Sequence, residues 1–449
     1  MKWTSFDLSS PTPEPVAPRR TTHEAHGKTL IDDYGWLRAD NWQEVLKDPS
    51  VLPADIREVL ERENRHAEAA LAPTKNLQKT LAKEMRGRIK EDDADVPQSD
   101  GPYDYYDRYR EGGEHELVCR KAKDAGLEEV MLDGDALARG KAFFEIGETA
   151  ISPDHKLLAW SADDRGSELY TIRIRDLSTG SDLADVVEET DGSMVWSADG
   201  DSFLYIRLDE NHRPSRVYRR RLGADPASDE LIFEESDPGW FMNVWRSRSR
   251  RFAIIHLTDH DSAEAHLLDL HDPAAKPRLV AARTNGLRYD VEHHGDRLFI
   301  RTNADGCEDF KLVEAPLNDP ARANWRDVIP YHPGRMITRI TAFQNYLVRL
   351  ERENCLPQII IRDISSGEEH AIAFDEEAYS LSLQGSREFD TKTLRFAYSS
   401  MTTPEEIYDY DMASRTRTLR KRQIIPSGHD PALYVTRRIF APAGDGALV

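Results

Sequence analysis

No stretch of the 449-residue chain carries the run of about 20 apolar residues that a membrane helix needs, so a membrane is not an expected partner. Cysteine is scarce: Cys119, Cys307 and Cys355 form an odd, widely spaced set with no CxxC pair. That argues against a disulfide framework and a cysteine-based zinc site, and makes a reducing cytoplasm the simplest home. The first twenty residues hold prolines but no apolar core, and so do not read as a secretory signal. Positive charge is the minority sign, with 60 Lys and Arg against 81 Asp and Glu and a formal net charge of -21. Nucleic acid is therefore not an expected partner, while cationic ligands suit such a field.

Histidine is present without a ligand pattern. His256 and His266 fall on neighbouring strands of one expected hairpin, His260 lies in its loop, and His293 and His294 are adjacent. No set of histidines and carboxylates recurs at ligand spacing, so these read as surface or loop residues, and neither a metal nor a cofactor is expected.

The chain changes character twice. Prolines at 11, 13, 15 and 18 deny helix to the first twenty residues, which should form an extended arm. Ile56, Val59, Leu60 and Ala67 then recur at helical spacing over 53–70, and Leu77, Leu81, Met85 and Ile89 do so after Thr74, a fitting N-cap. Two amphipathic helices are expected, each with an apolar stripe that needs a partner. Lys90 to Pro97 is a run of charge and reads as a solvated hinge.

Beyond Pro97 the pattern is short runs of Val, Ile, Tyr, Phe and Trp between clusters of Asp, Gly, Asn and Pro, the mark of many antiparallel strands. The runs repeat: Tyr106, Trp160, Tyr205, Ile255, Ile300, Val348 and Ala397 recur every 45 to 54 residues, near the blade period of a propeller. Seven anchors lead to the expectation of an all-β, seven-bladed β-propeller with an N-terminal helical arm, in which radial stacking protects the sheet edges. A pair of β-sandwiches is the competing architecture, and it does not demand so even a period.

At the tail, a polar turn around Pro426 to Pro431 leads into one strand, and Asp445-Gly446 turns toward a second. A half-hairpin after a closed propeller has nothing to pair with, so a larger sheet is expected to follow. Ser427 and His429 stand two apart, but a pair in a Pro/Gly turn is a linker rather than a catalytic couple.

The run His26-Gly-Lys-Thr-Leu-Ile-Asp-Asp-Tyr-Gly-Trp-Leu-Arg38 resembles the N-terminal signature of the prolyl oligopeptidase family of serine peptidases. Tyr398-Ser-Ser-Met-Thr-Thr-Pro-Glu405 and the tail from Ser427 to Gly446 are most similar to its oligopeptidase B branch. The resemblance implies a two-domain peptidase that cleaves short basic peptides after Lys or Arg with a Ser-Asp-His triad. Its propeller would cap an α/β-hydrolase domain that is largely absent here. Residues 1–73 would pack on that domain, 74–425 would form the propeller, and 426–449 would be a linker and the first hydrolase strand. No G-x-S-x-G nucleophile elbow occurs, so no catalytic residue is expected in this chain, which alone should be inactive. Glu168 matches the position from which related oligopeptidases project a charged side chain across the domain gap, and is the expected gating residue. The alternative is a free-standing propeller that binds proteins, against which exposed apolar helices argue. A propeller hydrolase of sugars or lactones would instead carry a metal or a strongly perturbed acid pair in its channel.

Overall fold

The computed structural model describes residues 13–124 and 126–448. The expected arm lies outside the described residues over 1–12, and over 13–20 it has no regular structure. The described residues divide into two compact units, one of 13–89 with 165–167 and 425–427, the other of the remainder.

The first unit opens on a hairpin, Thr21–Ala25 with Lys28–Asp32. Its turn, His26-Gly27, has φ of 53° and 72°, as a two-residue primed turn requires. The polar strands hide this hairpin from a periodicity reading. The signature run continues into a 3-10 turn at Gly35–Leu37, where the Arg19 guanidinium lies 3.7 Å from the Trp36 ring centre and pairs with Asp55 at 2.5 Å. Helices α1 (Trp42–Lys47), α2 (Ala54–Leu71) and α3 (Lys75–Arg86) follow. The expected helices form, and Thr74 stands at the N-cap position of α3, but its side chain caps no backbone N–H. A 3-10 turn at Ala72–Thr74 joins α2 to α3 without a break, so Thr74 keeps helical backbone and its Oγ1 donates to Leu71 O at 2.8 Å. Of the α2 stripe only Ile56 is buried; on α3, Leu77, Leu81 and Met85 are 50%, 46% and 63% exposed.

The second unit is built from antiparallel sheets of consecutive strands. Among the described residues five are four-stranded: the first (98–133), third (241–279), fourth (289–329), fifth (335–371) and sixth (380–422). The second sheet, between 145 and 234, has seven strands. All seven hydrophobic anchors fall on strands, but Trp160 and Tyr205 share that second sheet. The seven-bladed expectation is thus corrected to five four-stranded blades plus one seven-stranded sheet. The cause is Ser181–Trp196, a 16-residue strand that pairs with Tyr170–Asp176 through its first half and with Ser202–Leu208 through its second. Its polar middle, Glu188 to Ser193, reads as a turn. Positive φ at Glu189 and Gly192 coincides with register shifts that let the strand run on instead.

Apolar side chains between successive sheets form the core, as where Phe252, Ile254 and Leu267 of the third meet Tyr289, Val291 and Ile300 of the fourth. Among the described residues no two of the six sheets share a strand, the first and sixth included. Side chains join them instead: Arg395 Nη1 donates to Val96 O at 2.9 Å and Pro97 O at 2.8 Å, and Lys421 Nζ donates to Ala94 O at 2.8 Å and pairs with Asp93 at 2.6 Å. The run expected to be a solvated hinge is therefore docked over 93–97. Its backbone is held as well, with Asp95 N donating to Asp107 O and Tyr109 N to Asp93 O, both at 2.8 Å. Among the described residues no helix is long and apolar enough to cross a membrane.

Candidate functional site

Radial sheets leave a central channel lined by their innermost strands. On the third sheet's first strand, Phe241–Arg246, residues 241, 243 and 245 are exposed while Met242 and Val244 are buried, as one-sided lining by a strand demands. Glu148 lies on Glu145–Ile151 and Glu292 on Tyr289–His294, the first strands of the second and fourth sheets, while Asp191 lies on Ser181–Trp196, the long strand in the middle of the second sheet.

Each of these carboxyls is harder to ionise than usual. Glu148 is hemmed by protein, and that desolvation raises it against a hydrogen bond from Met194 N at 3.4 Å, while Asp191 adds to the rise. Burial also raises Asp191, although Ser193 donates to it from both N and Oγ. Burial pushes Glu292 up to about 7 against the pull of Arg248 and Arg339. Perturbed channel acids are thus present. Among the described residues, no group of three or more His, Cys, Asp or Glu is placed to hold a metal ion. Sequence reading missed these acids because a carboxylate on an exposed strand face reads as solvated surface.

Glu168 lies in the turn between Leu157–Asp163 and Tyr170–Asp176, exposed and with φ of 57°. Its backbone N donates to Asp163 Oδ2 at 2.8 Å, which fixes the turn while the carboxylate remains at the surface near Tyr170. His429 Nε2 faces Thr402 O at 2.7 Å and its ring stacks on Tyr434, so its partners are a backbone carbonyl and a tyrosine.

His256 and His293 are buried, not surface residues: His256 Nε2 meets Tyr289 O at 3.0 Å, while His293 binds Ser249 Oγ at 2.7 Å and Gly295 O at 2.9 Å. Each fills a core position, His293 bonded through both ring nitrogens and His256 through Nε2, which a sequence pattern cannot separate from a loop position.

The run Tyr398 to Pro404 is organised by a residue outside it. Glu376 accepts from Tyr398 Oη and Thr403 Oγ1 at 2.7 Å each and from Thr402 Oγ1 at 3.1 Å. Burial alone would raise its carboxyl, but hydrogen bonds from Ser400, Tyr398, Thr403 and Thr402 prevail and hold it at about 2. A cleft of about 660 Å³ also opens between the third and fourth sheets, where Arg251, Lys276 and Arg278 mix with Asp269 and Asp296. Charges of both signs at its rim select no single ligand chemistry.

A sheet-lined channel with ionisable walls, preceded by a hairpin and helices, defines the class. The model of the prolyl oligopeptidase N-terminal β-propeller domain matches residues 15–423, and the chain belongs to that family. Dipeptidyl aminopeptidase BI of Pseudoxanthomonas mexicana is 34% identical over 464 residues, covering 99% of this chain and 62% of that protein. Protease 2 of Moraxella lacunata is 30% identical over 437 residues, covering 95% and 61%. Among solved structures, oligopeptidase B from Leishmania major superposes with a TM-score of 0.89 at 29% identity, over 97% of this chain and 64% of that one. Oligopeptidase B from Trypanosoma brucei, in a closed form with covalently bound antipain, gives 0.87 at 29% identity over 96% and 63%. The chain thus spans less than two thirds of the length of these relatives.

Proposed function

We propose that this chain is the substrate-gating propeller portion of an oligopeptidase B-like serine peptidase that cleaves short peptides after Lys or Arg. The observation that carries the reading is the superposition of nearly the whole chain on two oligopeptidase B structures, one of them holding a covalent peptide-like inhibitor. On this reading the Ser-Asp-His triad belongs to an α/β-hydrolase domain outside these residues, and 1–449 alone is inactive. The half-exposed Leu77, Leu81 and Met85 of α3 support it, since such a stripe needs an apolar partner. The propeller admits small peptides and keeps folded proteins from the chemistry.

Glu168 is the gating residue in this proposal. An exposed carboxylate on a fixed turn pairs with a cation of the facing domain, at about 0.2–1 kcal/mol per pair, enough to bias a closed state without locking it. Glu168→Ala in the full-length protein is expected to shift the open-closed population and the kinetics on small substrates; if both stay unchanged, the latch role is lost.

The 34% identity to a dipeptidyl aminopeptidase favours a second reading, removal of dipeptides from free N-termini. Hydrolysis by the full-length gene product separates the two. Cleavage of an N-terminally blocked Arg-Arg fluorogenic substrate, abolished by a serine-directed inhibitor, is expected. Cleavage only of substrates with a free N-terminus moves the assignment to the dipeptidyl enzyme. A gene product no longer than these 449 residues, without hydrolysis, leaves a protein-binding propeller.

A further inference from the structure

At one end of the channel the arginines outnumber their partners. Arg246 ends the third sheet's first strand, and the turn beyond it carries Arg248 and Arg250, spaced two apart. That turn bonds to residues of the first and sixth sheets as well as to its own sheet. Arg250 Nη2, from a residue with φ of 62°, pairs with Asp100 and donates to Arg387 O at 2.9 Å; Arg248 Nη1 donates to Ser386 O. Arg387 lies over the Tyr105 ring at 5.2 Å and Arg248 over Phe343 at 4.8 Å. The second sheet joins at His155, whose Nδ1 meets Tyr105 Oη at 2.8 Å. Gly101 permits this approach, since a Cβ there would lie 2.7 Å from His155 Nε2.

Donors are left over. Arg248 Nε and Arg387 Nε are buried without an acceptor, and the Arg246 guanidinium has no hydrogen-bond or ion-pair partner among the described residues. Asp100 is already engaged by Arg250, so Arg246 and Arg387 keep donors that no carboxylate takes up. Burial lowers the Arg246 pKa, and the neighbouring Arg250 and Arg387 lower it further, while Asp100 pulls the other way. Asp107 faces Arg387, and Glu292 faces Arg248 and Arg339; burial is the first cause raising both carboxyls, Asp107 to about 6. Unpaired buried donors and clustered like charge are both unfavourable unless an acceptor completes them. Guanidinium geometry selects a planar or tetrahedral oxyanion held by paired N–H donors.

The geometry points to an oxyanion site at this end of the channel, in which Arg246 is the principal ligand and Arg387 supplies a further donor. The chemistry it recognises, a carboxylate or phosphate group, is shared by inorganic phosphate and by the free C-terminus of a short peptide. The site does not depend on the proposed peptidase activity, and its test does not use it. Titration calorimetry of the full-length protein, at constant ionic strength, is done with inorganic phosphate and with a capped tripeptide bearing either a free or an amidated C-terminus. Saturable binding of phosphate, weakened at least tenfold in Arg246→Gln and less in Arg246→Lys, is expected. If only the free-carboxylate peptide binds and Arg246→Gln abolishes it, the ligand is a peptide terminus; if phosphate alone does, it is a small anion. Equal binding by wild type and by an Arg246→Gln variant with unchanged melting temperature overturns the site. So does no saturable binding of any probe to the wild type. Should Arg246→Gln not fold, Arg387→Gln provides the same comparison.

Discussion

Arg349 is the largest side chain among the fully buried residues, and its charge is matched on both sides. Nε donates to Glu351 at 2.7 Å, and the two Nη atoms grip Glu369 at 2.8 and 3.0 Å. Arg349→Leu would leave Glu351 buried with only Arg335, at 3.9 Å, for company. A loss of about 3–5 kcal/mol in denaturant unfolding is expected, mostly recovered in Arg349→Leu/Glu351→Leu, because the penalty is an unpaired buried charge rather than a missing bond. Glu376 makes an acid prediction. Its folded pKa, about 2, is depressed from 4.5, so the stability it contributes is full above 4.5 and is lost as pH falls toward 2. Glu376→Gln should flatten the acid unfolding profile across that window and little elsewhere; an unchanged slope would mean the hydroxyl fan contributes nothing. The run from Tyr398 to Pro404 was legible as a motif, yet its organiser 22 residues upstream was not, because hydrogen bonding across loops leaves no local pattern.

Strands were the most legible elements, since Phe252–Thr258 and its counterparts are runs of β-branched and aromatic residues that fit a packed sheet. How they group into sheets was not legible at Ser181–Trp196. Whether Glu188-Glu-Thr-Asp-Gly-Ser193 turns or runs on depends on bulge geometry, which composition does not determine. Gly192 makes that continuity possible. It has φ of 91°, and a Cβ there would lie 3.0 Å from Tyr170 Cγ and 3.1 Å from Ser161 Oγ. Gly192→Ala should cost about 1–3 kcal/mol and lower the melting temperature. A variant as stable as the wild type would show that the strand bends some other way. Helices α2 and α3 were legible from their spacing, but the hairpin before them was not, its strands being Thr-Thr-His-Glu-Ala and Lys-Thr-Leu-Ile-Asp.

In the second unit as a whole, each sheet is a continuous hydrogen-bonded body, while the first and sixth meet through Arg395, Lys421, the backbone of 93–97, the Lys123–Glu388 pair at 3.5 Å and Arg387 over the Tyr105 ring. Each bond there is worth about 1 kcal/mol, less than a strand ladder of several bonds. Arg395→Ala with Lys421→Ala is expected to speed amide exchange around residues 93–97 and 107–109 while leaving the third and fourth sheets protected. Uniform acceleration would place the weak point elsewhere. The channel acids and arginines were invisible at this scale in the sequence, because they come from strands more than 140 residues apart, Glu148 and Glu292 among them. The seam also sets an order of mechanical failure. Drawn apart by a force on the first and last strands, the ring would behave like a bracelet with a clasp, springing open at Arg395 and Lys421 before any sheet unzips. A load applied across the long shared strand would meet its stiffest arc.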